Sequence, residues 1–99
     1  GTLNATVFNS LSDASLKRDV ETVSEALESV ARMRGVKFQW KDSKNRSAGV
    51  IAQELESVAP DLVTSSSDGT KSVNYDGLLA YLIEAIKDIK ERLDRADIK

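Results

Sequence analysis

The stretch Ser12-Asp13-Ala14-Ser15-Leu16-Lys17 sets a serine five residues ahead of a lysine in a 99-residue chain without histidine or cysteine. A serine hydroxyl is a weak nucleophile until a base takes its proton, and a lysine amine does so in its neutral form, which burial favours. Without histidine a Ser-His-Asp triad is impossible; without cysteine there is no thiolate nucleophile, disulfide or thiolate metal site. Any nucleophilic chemistry here must take its base from a lysine or a carboxylate. The same residues suit a plainer use, with Ser12 or Asp13 as a helix N-cap and Lys17 in solvent. Spacing alone leaves both open.

Composition narrows the function classes. Fourteen basic and sixteen acidic residues give a net charge of −2, with no long run of either sign. That is a poor footprint for nucleic acid or an anionic membrane, and neither is expected as a partner. The longest apolar run, Leu78–Ile83, is far too short to span a bilayer, and no stretch reads as a signal peptide. Asp68-Gly69 beside Ser65–Ser67 reads as a hairpin turn, since neither an EF-hand nor a Gly-rich phosphate loop is present. No metal or cofactor is expected. At this length one domain with a modest core is expected, and oligomerisation would supplement that core.

Several elements must position the serine and lysine. Residues 2–11 alternate in polarity and predict a strand. Leu16, Val20, Val23, Leu27 and Val30 recur at helical spacing; the Thr22–Glu25 stretch fits a capping box, predicting a helix over Val23–Arg34 stopped by Gly35. Whether Ser12–Glu21 joins that helix or forms a separate turn and strand is left open by the pattern. Val36–Lys41 reads as a half-buried strand with Phe38 and Trp40 in the core, Asp42–Ser47 as a loop, and Val50–Ala52 as a short buried strand. A brief helix with Leu55 and Val58 inward should stop before Pro60, and Leu62–Ser65 and Lys71–Tyr75 should form a hairpin. Gln53 and Glu54 read as surface residues of that helix.

The C-terminal segment has the clearest period. Tyr75, Leu79, Leu82, Ile86, Ile89, Leu93 and Ala96 step by four and three, with Leu79, Ile86 and Leu93 at a and Leu82, Ile89 and Ala96 at d. Isoleucine at both core positions favours more than two strands, so a parallel trimeric coiled coil is expected. Leu78, Ile83 and Ala85 widen the stripe near its start, as a helix packed on its own domain would require. The fold class is therefore α+β: a small mixed domain with short strands and a long C-terminal helix.

Taken together, "SDASLKRDV", "RGVKFQWK", "GVIAQELESVAPDLV" and "DGTKSVNYDGLLAYLIEAIKDIKERL" resemble, in order and spacing, the C-terminal intramolecular chaperone domains of phage tail spikes, tail fibres and endosialidases, peptidase family S74. The resemblance covers Ser12–Leu93. It implies a homotrimer that assists the folding of its own upstream fibre stem in the bacterial host cytoplasm, then cuts itself free while the stem stays in the virion. It also implies that Ser12 is the nucleophile, Lys17 its partner and Leu11–Ser12 the scissile bond, with Asp13 as support. Residues 1–11 would then end the stem, 12–74 form an α+β body and 75–99 the coiled-coil helix. The alternatives are a non-cleaving trimerisation cap and a monomeric adaptor whose C-terminal helix docks in another protein's groove.

Overall fold

The computed structural model describes residues 9–97. In chain order it contains a 3-10 turn at Ala14–Leu16, helix α1 (Ala26–Ala31), strands β1 (Val36–Gln39) and β2 (Arg46–Gly49), and helix α2 (Ala52–Glu56). A second 3-10 turn (Pro60–Leu62), strands β3 (Val63–Ser65) and β4 (Lys71–Val73) and helix α3 (Tyr75–Ala96) follow. The strands form two separate antiparallel pairs, β1 with β2 and β3 with β4. Val36 faces Gly49 in the first pair and Val63 faces Val73 in the second.

Local chemistry accounts for the boundaries. Gly69 takes a left-handed φ of 88° in the β3–β4 turn, where Asp68 accepts hydrogen bonds from Ser66 Oγ and from the Thr70 backbone at 2.9 Å. Asn74 caps α3 by accepting from the Gly77 backbone at 3.0 Å. The core is small: Leu55, Ala59 and Leu62 form its buried cluster, with Met33, Val50, Val63, Val73, Leu78 and Tyr81 packed around it. Gly77 lets α3 approach this cluster, because a Cβ there would lie 2.5 Å from Leu62 Cδ2.

Helix α1 packs along α3, with Ala26 and Ala85 buried. Arg92 clamps the two helices by reaching Glu28 at 2.7 Å and Asp88 at 3.1 Å. Leu78, Tyr81, Ala85, Asp88 and Arg92 thus lie on the side of α3 that meets its own domain. The adjacent a/d stripe is left outside: Tyr75, Leu79, Ile86, Ile89 and Leu93 are exposed, while Leu82 is half-buried. Ile83, grouped in the sequence pattern with the side facing the domain, is exposed as well.

Several sequence expectations need correction. Ser12–Glu21, whose place the pattern left open, does not join the helix, and Asp19 and Glu25 adopt left-handed φ values of 55° and 54° that interrupt the helical period. Leu16 and Val20 are consequently exposed. The capping box does not form: α1 begins after Glu25, which makes no side-chain cap bond, and it ends at Ala31, short of Gly35. Strand β2 occupies Arg46–Gly49 and so begins within the loop expected over Asp42–Ser47, while Ile51 stands at the N-cap position of α2 and Ala52 opens that helix, in place of the Val50–Ala52 strand. Leu55 is buried as expected, Val58 half-buried, and α2 ends before Pro60. The expected leading strand falls largely outside the described residues; Asn9–Leu11 carry no strand.

Candidate functional site

The backbone around the serine–lysine pair is organised by Asp13. Its carboxylate accepts from the Ser15 backbone at 3.0 Å and from Ser15 Oγ, capping the first 3-10 turn. These hydrogen bonds, led by the Ser15 hydroxyl, hold the Asp13 carboxyl below its ordinary range. The turn closes through Leu16 N–H to the Asp13 carbonyl and Lys17 N–H to the Ala14 carbonyl, each at 3.1 Å. That closure folds Lys17 back over the residues before it.

As a result Lys17 Nζ donates to Ser12 Oγ at 2.6 Å. The same separation suits the reverse arrangement, in which the serine hydroxyl donates to a neutral amine, as a general base requires. The two readings of the six-residue stretch are therefore compatible: Asp13 is the cap, and the cap brings Ser12 and Lys17 together. Residues 9–20 are all exposed, Leu11 at 88%. Of the expected seam residues, Leu79, Leu82, Ile86, Ile89, Leu93 and Ala96 all lie within the single helix α3, away from the serine–lysine pair in sequence.

Two residues near the pair have no motif to announce them. Ser10 Oγ donates to Asp76 Oδ2 at 3.0 Å, joining the segment before Ser12 to the first turn of α3. A contact spanning 66 residues leaves no local pattern. Glu54, by contrast, makes a two-pronged pair with Arg34, at 3.0 and 2.6 Å, and serves to tie α2 to the segment after α1.

A concavity of about 650 Å³ lies between the two hairpins, lined in part by Phe38, Trp40, Val50, Ile51, Val73 and Tyr75. Trp40, expected in the core, is 59% exposed here and meets Phe38 edge-to-face with ring centres 5.0 Å apart. β1 ends at Gln39, so Trp40 lies beyond the strand. Among the described residues no group of acidic side chains is arranged to hold a metal ion, and no helix is long and apolar enough to cross a membrane.

A family model for Peptidase S74, described as the chaperone of endosialidase, matches residues 12–64 and so opens on Ser12. The chain is 34% identical over 99 residues to the long tail fiber protein Gp37 of Salmonella phage S16, an alignment covering 85% of this chain and 13% of that protein. It is 30% identical over 97 residues to the long tail fiber protein Gp37 of Enterobacteria phage K3, covering 89% of this chain and 8% of that protein. The chain thus spans only a small part of the length of these curated relatives.

Proposed function

We propose that this chain, which belongs to the Peptidase S74 family of endosialidase-type chaperones, is a C-terminal intramolecular chaperone of a phage tail fibre or spike that trimerises, assists folding of the stem before it, and then cuts itself free once. The observation that carries the cutting is the 2.6 Å contact between Lys17 Nζ and Ser12 Oγ, at the residue where the family match opens. The client is a fibre stem because the similar proteins are long tail fibre proteins far longer than this chain. The exposed a/d stripe of α3 supplies the surface through which three copies associate.

The proposed reaction starts with neutral Lys17 taking the Ser12 hydroxyl proton as Oγ attacks the Leu11 carbonyl carbon through a five-membered ring. The Leu11–Ser12 C–N bond then breaks, and the proton held by Lys17 passes to the departing nitrogen, which becomes the free α-amine of Ser12. Leu11 is left as an ester on Ser12 Oγ. Water hydrolyses that ester, ending the stem in a Leu11 carboxylate and restoring the Ser12 hydroxyl. No other reactant is consumed.

The test is intact mass and N-terminal sequencing of the fibre-length protein, wild type beside Ser12→Ala. A released fragment beginning at Ser12 in the wild type, and an uncut Ser12→Ala protein, are expected. A fragment with a different start, or normal release from Ser12→Ala, would overturn the assignment. The non-cleaving cap draws on the exposure of both Ser12 and Lys17 in the single chain, and it predicts an intact wild-type mass.

A further inference from the structure

Among the described residues, the segment bearing Ser12 and Lys17 is joined to the body by one side-chain hydrogen bond. Ser10 Oγ donates to Asp76 Oδ2 at 3.0 Å. Every other hydrogen bond or ion pair of residues 9–20 to a described residue stays inside the segment: the Asp13–Ser15 contacts, the 3-10 turn, Lys17 to Ser12, and Arg18 beside Asp19. Ser10 is bonded through its own carbonyl to Leu11, the acyl side of the proposed cut. Ser12, on the other side, is held by Lys17. The bond to be broken is thus held at both ends, by groups from different parts of the fold.

Asp76 belongs to the same helix as the a/d stripe, immediately after Tyr75 and three residues before Leu79. Restricting Ser10 limits rotation of the backbone that directs the Leu11 carbonyl towards Ser12 Oγ, and orientation of this kind is a large share of catalytic rate. We propose that Asp76 is a positioning residue for the self-cleavage, docking Ser10 on the first turn of the helix that carries the trimer seam. The inference rests on the roles given above to Ser12 and Lys17. In a lone chain this exposed hydrogen bond competes with water and holds the segment weakly. Association of three helices would shield it, so the Leu11 carbonyl becomes aligned when the chains are assembled. Cutting then follows assembly without a separate sensor.

Asp76 also lies in the first turn of α3, where a negative charge favours the helix, so its replacement alone mixes two effects. Ser10 separates them, because it is outside the helix. The experiment is a time course of release in the fibre-length protein for wild type, Ser10→Ala, Asp76→Ala, the double variant and Ser10→Thr, with sedimentation and melting on each. Ser10→Ala and Asp76→Ala should each slow release by about tenfold, the scale of one hydrogen bond to a charged group. The double variant should be no slower than the slower single, and Ser10→Thr, which keeps the hydroxyl, should recover most of the rate. Ser10→Ala should leave trimer content and melting unchanged. Release from Ser10→Ala at the wild-type rate, or a double variant slowed by the product of the two singles, overturns the inference while leaving the Ser12–Lys17 reading intact. A wild-type protein that never cuts before Ser12 overturns that reading and the inference with it.

Discussion

Lys17 makes its contact with Ser12 over five residues of chain, through a turn that Asp13 caps. Lysine and arginine carry the same charge, but only lysine reaches a neutral amine under ordinary conditions, whereas a guanidinium keeps its protons. Lys17→Arg should therefore keep a donor near Ser12 and leave assembly intact, yet abolish release of the fragment. The measurement is release in the fibre-length protein by intact mass, paired with sedimentation of the same sample. Normal release by Lys17→Arg would falsify Lys17 as the base. The spacing of Ser12 and Lys17 left a solvated lysine open, and the family resemblance singled the pair out; its contact is local, made through the turn that Asp13 caps. Ser10 and Asp76 were not legible, since only the packed position of α3 brings them together.

At the scale of elements, close approach decides what a substitution does. Alanine in place of glycine ordinarily favours a helix by about 1 kcal/mol. At Gly77 the added Cβ meets Leu62, which is buried in the core cluster, and also lies 3.0 Å from the Asn74 cap. Overpacking of this kind costs about 1–3 kcal/mol. Gly77→Ala should lower the melting temperature by several degrees, and a thermal scan checks it. The β3–β4 turn makes a different prediction. Hydrogen bonds from Ser66 and Thr70 hold the Asp68 carboxyl down to about 2. A carboxyl depressed on folding contributes stability above its unfolded value, near 3.9, and that contribution is lost as pH falls through the folded one. Protection of the Thr70 amide should therefore weaken between about pH 4 and pH 2, and Asp68→Ala should weaken it at all pH values; hydrogen exchange reads both. The turn itself was plain from Asp68-Gly69, whereas the helix expected over Val23–Arg34 shrank to Ala26–Ala31. Hydrophobic period reports which residues share a face if the chain is helical, and it is blind to the left-handed Asp19 and Glu25.

The whole molecule is extended for its length. Its radius of gyration is 17.2 Å, against about 13 Å for a compact domain of this size. Among the described residues the buried apolar ones are Ala26, Leu55, Ala59, Leu62 and Ala85, three of them alanines, while α3 leaves Leu79, Ile83, Ile86, Ile89 and Leu93 exposed. In the proposed trimer such a stripe would stabilise the protein through other copies, so melting should rise with protein concentration. Ile86→Asp with Ile89→Asp places charge on the exposed stripe without touching Ala85 or Arg92, which hold α3 to its own domain. The double variant should sediment as a folded monomer at micromolar concentration while the wild type sediments as a trimer. A wild-type monomer there would sink the trimer proposal. Folding assistance should also separate from cutting: the Ser12→Ala fibre should assemble uncut, and deletion of residues 12–99 should leave misassembled fibre.

What the sequence determined by itself was everything carried by neighbouring residues or by a single period. It excluded histidine and cysteine chemistry, set Ser12 five residues before Lys17, and marked the hairpin at Asp68-Gly69, the α+β class and the long C-terminal helix with its a/d stripe. Only the tertiary structure decided which face of that helix its own domain would take. Leu78, Tyr81 and Ala85 pack inward and the a/d stripe stays outside, although the two sets are interleaved along the same turns. It likewise decided that Trp40 lies at the rim of a groove and that Ser10 meets Asp76. Local spacing sets the direction in which a side chain leaves its element. What it then meets depends on residues far along the chain.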